Sequence, residues 1–180
     1  MRVIIVLGRT LTLFRKSSLA QREYWGDQSK IKKPRIIGGG EAPRGRYPYM
    51  VSLTYQYSHV CGGSLIADDM ILSAAHCSGF FDGVEIGRHD LSDDGEQFER
   101  YNIETFINHP NFNDDASSVG SFDNDFMLVK IYGFSRKSTI SLNSDPSIPS
   151  LEDDQLHVMG WGVDNVVSKS TSDVLKGEKN

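Results

Sequence analysis

From Tyr49 onward the chain is a succession of short apolar runs broken by turn residues, and that rhythm limits the possible folds. In "YMVSLTYQY", Tyr49, Val51, Leu53, Tyr55 and Tyr57 alternate with Met50, Ser52, Thr54 and Gln56, the period of a half-buried strand. Further runs follow at "VCGGSLI", "MILSAA", "GVEIG", "YNIETFI", "FMLVKI" and "LHVMGW". The pieces between them, such as "YSH", "ADD", "DLSDDGE" and "NHPNFNDDASSVG", are rich in Asp, Asn, Ser and Gly, residues that favour turns. No amphipathic helical pattern exceeds two turns. The expectation is an all-β barrel or sandwich, with the linker-like stretch from Tyr132 to Asp154 as the boundary between two sub-structures.

Charge divides the chain differently. Residues 1–35 carry nine Lys/Arg against two Asp/Glu, whereas the remainder carries ten against twenty-two. An acidic body repels phosphate, which argues against a nucleic-acid partner. The basic leader reads as a signal or pro-segment, or as a misassigned start. Its apolar run "VIIVLG" is interrupted by Arg9, and a secretory signal wants seven or more uninterrupted apolar residues. No run approaches the length of a membrane-spanning helix, so no membrane association is expected.

Cys61 and Cys77 are the only cysteines, too few for a disulfide-built scaffold or, alone, a structural zinc site. They are either two buried thiols or one disulfide closing a loop of about 15 residues, worth roughly 3 kcal/mol. Spacing does not choose. Three further stretches each have a plain reading. In "PRIIGGGEA" the glycines make a loop, in "AAHC" a lone histidine is structural or exposed, and in "FDNDFMLVKI" the acidic residues start a strand.

Taken together and in order, these stretches resemble the chymotrypsin/trypsin family of serine endopeptidases, from Arg35 to about Lys176. "RIIGGGEA" is similar to the zymogen-activation junction, with cleavage between Arg35 and Ile36. "CGGSLIADDMILSAAHC" resembles the segment ending at the catalytic histidine, "DNDFMLVKI" the catalytic aspartate segment, and "HVMGWG" the strand opening the second barrel. The resemblance implies a double β-barrel of antiparallel strands within a peptidase domain of residues 36–180. The first barrel, about 49–131, is expected to be complete; the second, about 155–180, is expected to be truncated, with its first two strands and unpaired edges. It also implies that His76 is the general base, that Asp125 orients it, and that Cys61 pairs with Cys77 to staple the histidine loop. Ser64, in "CGGSL", is structural in the family pattern.

The family's nucleophile lies in a Gly-Asp-Ser-Gly-Gly run downstream of Gly-Trp-Gly. Here Gly160-Trp161-Gly162 is present, and no Gly-Asp-Ser-Gly run occurs in the chain. Without that segment the oxyanion donors and primary specificity pocket are missing too. The chain is therefore expected to be inactive alone, whether as part of a secreted endopeptidase or as a non-catalytic homologue that binds a partner. A polypeptide substrate or inhibitor is expected if the domain is completed, and oligomeric state is left open. No cofactor or metal is expected. In the loop that binds calcium in some trypsins, "IGRHDLSDDGEQFERY", Arg88 stands at the first glutamate ligand. Asp93, Asp94 and Glu96 read as a solvated acidic loop.

Overall fold

The computed structural model describes residues 3–7, 10–11, 39–113, 123–145, 157–162 and 171–179. Eleven strands are described: β1 (Val3–Leu7), β2 (Thr10–Leu11), β3 (Gly40–Glu41), β4 (Met50–Tyr55), β5 (Ser58–Ala67), β6 (Met70–Ser73), β7 (Gly83–Ile86), β8 (Glu99–Asn108), β9 (Met127–Ile131), β10 (His157–Gly160) and β11 (Lys176–Lys179). Six of them close into a barrel in the order β4-β5-β6-β9-β8-β7, and every pairing is antiparallel. Closure leaves that sheet without an edge. Val51, Leu53, Leu65, Ile71, Val84, Ile86, Met127, Val129 and Ile131 fill its core. Gly63 leaves no room for a side chain against the barrel core. A Cβ there would stand 2.9 Å from Ile71 Cγ2 and 3.1 Å from Leu53 Cδ1.

The expected half-buried strand at Tyr49–Tyr57 differs in two ways. Met50, Ser52 and Thr54 are as buried as Val51 and Leu53, because β4 is covered on its outer side as well. Ser52 lies against His59, whose ring meets Trp161 edge-on at 5.3 Å. The Tyr49 hydroxyl reaches Met159 Sδ at 3.9 Å. Tyr55 and Tyr57, by contrast, are exposed. The strand ends at Tyr55, and Gln56 and Tyr57 form the turn into β5 with φ of +48° and +66°. Positive φ at both central residues is what a two-residue hairpin of this hand needs.

The second sheet is open, in the order β2-β1-β10-β11-β3. β10 and β11 are the two strands expected there, paired antiparallel. Their outer edges are not left bare: β3 adds to β11, and β1 runs parallel to β10. A strand from the basic leader thus lies on the edge of β10, a placement that its β-branched run "VIIVL" suits. The boundary stretch begins as backbone pinned to the barrel, with Ser135 N–H donating to Asp68 O at 2.7 Å and Ile140 N–H to Leu65 O at 2.9 Å. Its residues 146–154 fall outside the described ones.

Candidate active site

Register alone brings His76 and Asp125 to the same place. In the β6–β9 ladder Ser73 pairs with Met127. His76 lies three residues beyond Ser73, and Asp125 two residues before Met127, so both stand past the same end of one antiparallel pair. A single 3₁₀ turn, Ala75–Cys77, carries the histidine. It follows extended Ala74 (φ −86°, ψ 140°) and is closed by Cys77 N–H to Ala74 O at 3.2 Å. Ala74 and Ala75 are fully buried, so the turn packs against the barrel through small side chains. Asp125 follows Asn124, whose φ is +57°. Asparagine tolerates that conformation better than most residues, and its side chain donates to Asn111 O at 3.2 Å.

Both carboxylate oxygens of Asp125 accept from one residue. His76 N–H donates to Oδ1 at 2.9 Å, and Nδ1 lies 2.7 Å from Oδ2. The carboxylate side chain is 1% exposed and the imidazole 22%. A buried carboxylate needs donors, and two from one residue fix the ring's rotation as well as its tautomer: Nδ1 carries the proton, and Nε2 is the basic atom. The Cys61–Cys77 disulfide ties β5 to the histidine turn, leaving no free cysteine among the described residues. Arg35 and Ile36 lie outside the described residues.

The sequence reading did not anticipate a serine–histidine contact on β4 and β5. Ser52 Oγ is 2.7 Å from His59 Nδ1. It is no nucleophile–base pair, since Ser52 is fully buried and burial pushes the His59 pKa down to about 4. Ser64 is equally inaccessible: it is fully buried, and its hydroxyl has no partner among the described residues. Two surface cavities, of about 420 and 320 Å³, are lined by residues such as Tyr47 and Lys137, and Tyr57 and Arg100. Neither touches His76 or Asp125.

The loop from Arg88 to Glu96 is built around a guanidinium. Arg88, 4% exposed, donates through Nε to Asp90 O at 3.0 Å, and through Nη2 to Leu91 O at 2.8 Å and Asp94 Oδ1 at 3.0 Å. Nη1 donates to Glu85 on β7, and the guanidinium stacks over Phe98 at 4.5 Å. Burial opposes its charge, but Glu85 and Asp94 outweigh that and raise its pKa above the ordinary arginine value. Asp93 and Asp94 are exposed, as a solvated acidic loop implies, whereas Glu96 is half-buried, and the loop's carboxylates also bind its own backbone. Glu96 accepts from the His89 and Asp90 amides, and Asp93 from the Gly95 amide. Glu85, 1% exposed on the strand "GVEI", is the residue the sequence reading missed. Its period-two position opposite Val84 and Ile86 predicts solvent, but Arg88 and Arg100 cover it.

A family model described as Trypsin matches residues 36–179. The chain belongs to the trypsin family. It is 42% identical over 142 residues to Trypsin-4 of Rattus norvegicus, covering 74% of this chain and 52% of that protein. To Trypsin-3 of Homo sapiens it is 37% identical over 134 residues, covering 71% and 40%. Among solved structures, neuropsin, described as a serine protease expressed in the limbic system of mouse brain, superposes with a TM-score of 0.68 at 21% identity. It covers 79% of this chain and 63% of that one, a likeness of fold. The trypsin-family chain described here spans about half the length of the curated relatives it matches. Among the described residues, no helix is long and apolar enough to cross a membrane.

Proposed function

We propose that this chain carries the acid–base half of a secreted serine endopeptidase site, with polypeptides as substrates of the completed domain. The observation that carries the proposal is the double contact of the buried Asp125 carboxylate with His76. In the roles that the family supplies, the imidazole takes the proton of a serine hydroxyl and returns it to the leaving amine, while the aspartate stabilises the imidazolium. Histidine suits the task because its ordinary pKa lies close to neutrality. The nucleophile is the part these 180 residues lack, since no Gly-Asp-Ser-Gly run occurs in them. An acyl-enzyme needs a hydroxyl within reach of Nε2 and donors for the oxyanion. The chain alone is therefore expected to be inert toward peptide substrates.

Treatment of the purified chain with a serine-directed phosphonylating probe, beside a His76→Ala control, tests this. The expected result is no labelling of either. Stoichiometric labelling that disappears in the control would mean that another serine serves as nucleophile. Messenger RNA sequence downstream of Asn180 decides the wider reading. A frame continuing into Gly-Asp-Ser-Gly-Gly supports the endopeptidase, and a stop there favours a non-catalytic homologue that acts by binding.

Activation is proposed to follow cleavage between Arg35 and Ile36, where a basic residue precedes a glycine-rich stretch. Limited digestion with trypsin should yield Ile36 as the first new amino terminus. Early cuts after Arg44 or Arg46, with Arg35 intact, would count against this processing.

A further inference from the structure

Three successive residues of the histidine turn are tied to three different strands. His76 N–H donates to Asp125 just before β9, Cys77 is bonded to Cys61 on β5, and Ser78 Oγ accepts from the Asn108 side-chain amide on β8 at 3.1 Å. The resemblance implied the first two ties and not the third. We propose that Asn108 is a positioning residue for the His76–Asp125 pair, holding the turn that carries the histidine against the strand that leads from the aspartate. The inference rests on the acid–base reading of that pair and names a further residue that serves it.

The β8–β9 ladder places Asn108 for this task. It lies directly opposite Met127, and opposite residues of an antiparallel pair project to the same face. Met127 fills the barrel core, so Asn108 puts a polar amide at an inward-facing place at the barrel end. Its neighbour fixes the same strand start: His109 N–H donates to Phe126 O at 3.0 Å, and the two rings lie 4.4 Å apart. Asp125 is the residue before Phe126. The end of β8 is therefore locked to the aspartate through backbone, and the Asn108 amide carries that lock across to the histidine turn.

Energetics separate this task from support of the fold. Asn108 Oδ1 is buried and has no partner among the described residues, and a buried carbonyl without a donor disfavours the folded state. An apolar side chain of similar size would remove that penalty. Ser78, which is half-buried, can then turn its hydroxyl to water. What the amide contributes is local. The turn has no side-chain cap at Ala74. Its closing bonds, Cys77 N–H to Ala74 O at 3.2 Å and Ser78 N–H to Ala75 O at 3.0 Å, hold its shape but not its place. The Ser78 tie restrains the far end of the turn, and with it the swing of His76 relative to Asp125.

Exchange of the His76 Nδ1 proton with solvent, measured on the full chain by saturation transfer from water, tests this. Asn108→Val and Ser78→Ala should each speed exchange by roughly 2–10-fold, the range set by one hydrogen bond. The double variant should exchange no faster than either, because both changes remove the same contact. The urea midpoint of Asn108→Val should stay level or rise. Unchanged exchange in both single variants overturns the proposal, as does additive acceleration in the double one. A fall in the Asn108→Val midpoint with unaltered exchange in Ser78→Ala also overturns it, since the asparagine would then support the fold and not the pair. Those results leave the acid–base reading standing. Absence of the proton from the folded wild type would overturn both.

Discussion

His59 is a residue whose protonation the fold opposes. Burial sets its pKa at about 4, with Glu85 nearby pulling weakly the other way, whereas an unfolded histidine titrates near about 6.5. Between those values the unfolded chain takes a proton that the folded chain refuses. His59 therefore contributes stability that is fully present above about pH 6.5 and is lost as pH falls toward about 4, by up to roughly 3 kcal/mol. Urea unfolding at several pH values in that window should show a steeper decline for the wild type than for His59→Gln. Parallel curves would contradict it. Nothing in "YSHVCGG" distinguishes this histidine from a turn residue, because its burial is tertiary, with Trp161, far along the chain, among the groups packed against its ring. His76 and Asp125 were legible for the opposite reason. Each sits in a local motif whose residues also build the turn or strand that holds it. Glu85 was illegible because its cover comes from Arg88 and Arg100, a tertiary event that period-two alternation cannot foresee.

At the scale of elements, the strands were readable as apolar runs, but their ends were not. Tyr57 continues the alternation of β4 on paper, yet it belongs to the turn, since a hairpin must reverse before its partner Ser58. The pairing of β3 with β11 was also beyond the pattern, because a Gly-Glu strand carries no apolar signal. That pairing can be checked chemically. A Cβ added at Gly177 would lie 3.9 Å from Ala42 Cβ, the separation that a disulfide favours. The Ala42→Cys/Gly177→Cys variant should therefore close spontaneously on mild oxidation and gain roughly 2–4 kcal/mol of stability. Peptide mapping should show the linked pair beside the native Cys61–Cys77 bridge. Alkylation of both new cysteines without reductant would show that β3 does not lie on β11.

Across the whole molecule, the two sheets differ in how much of the chain each needs. The barrel closes on itself with residues 50–131, and its end carries both members of the candidate site. The second sheet stays open, extended by β1 and β3. The account's central claim follows from that asymmetry: the barrel alone assembles the His76–Asp125 pair, and the segment lacking from this chain is not needed to position it. Nitrogen-edited proton NMR of the labelled chain tests this most directly. A hydrogen-bonded His76 Nδ1–H should appear far downfield of the amide region and vanish in both His76→Ala and Asp125→Ala, while the barrel amides keep their dispersion. Absence of that proton from the folded wild type, or its persistence in Asp125→Ala, would contradict the account.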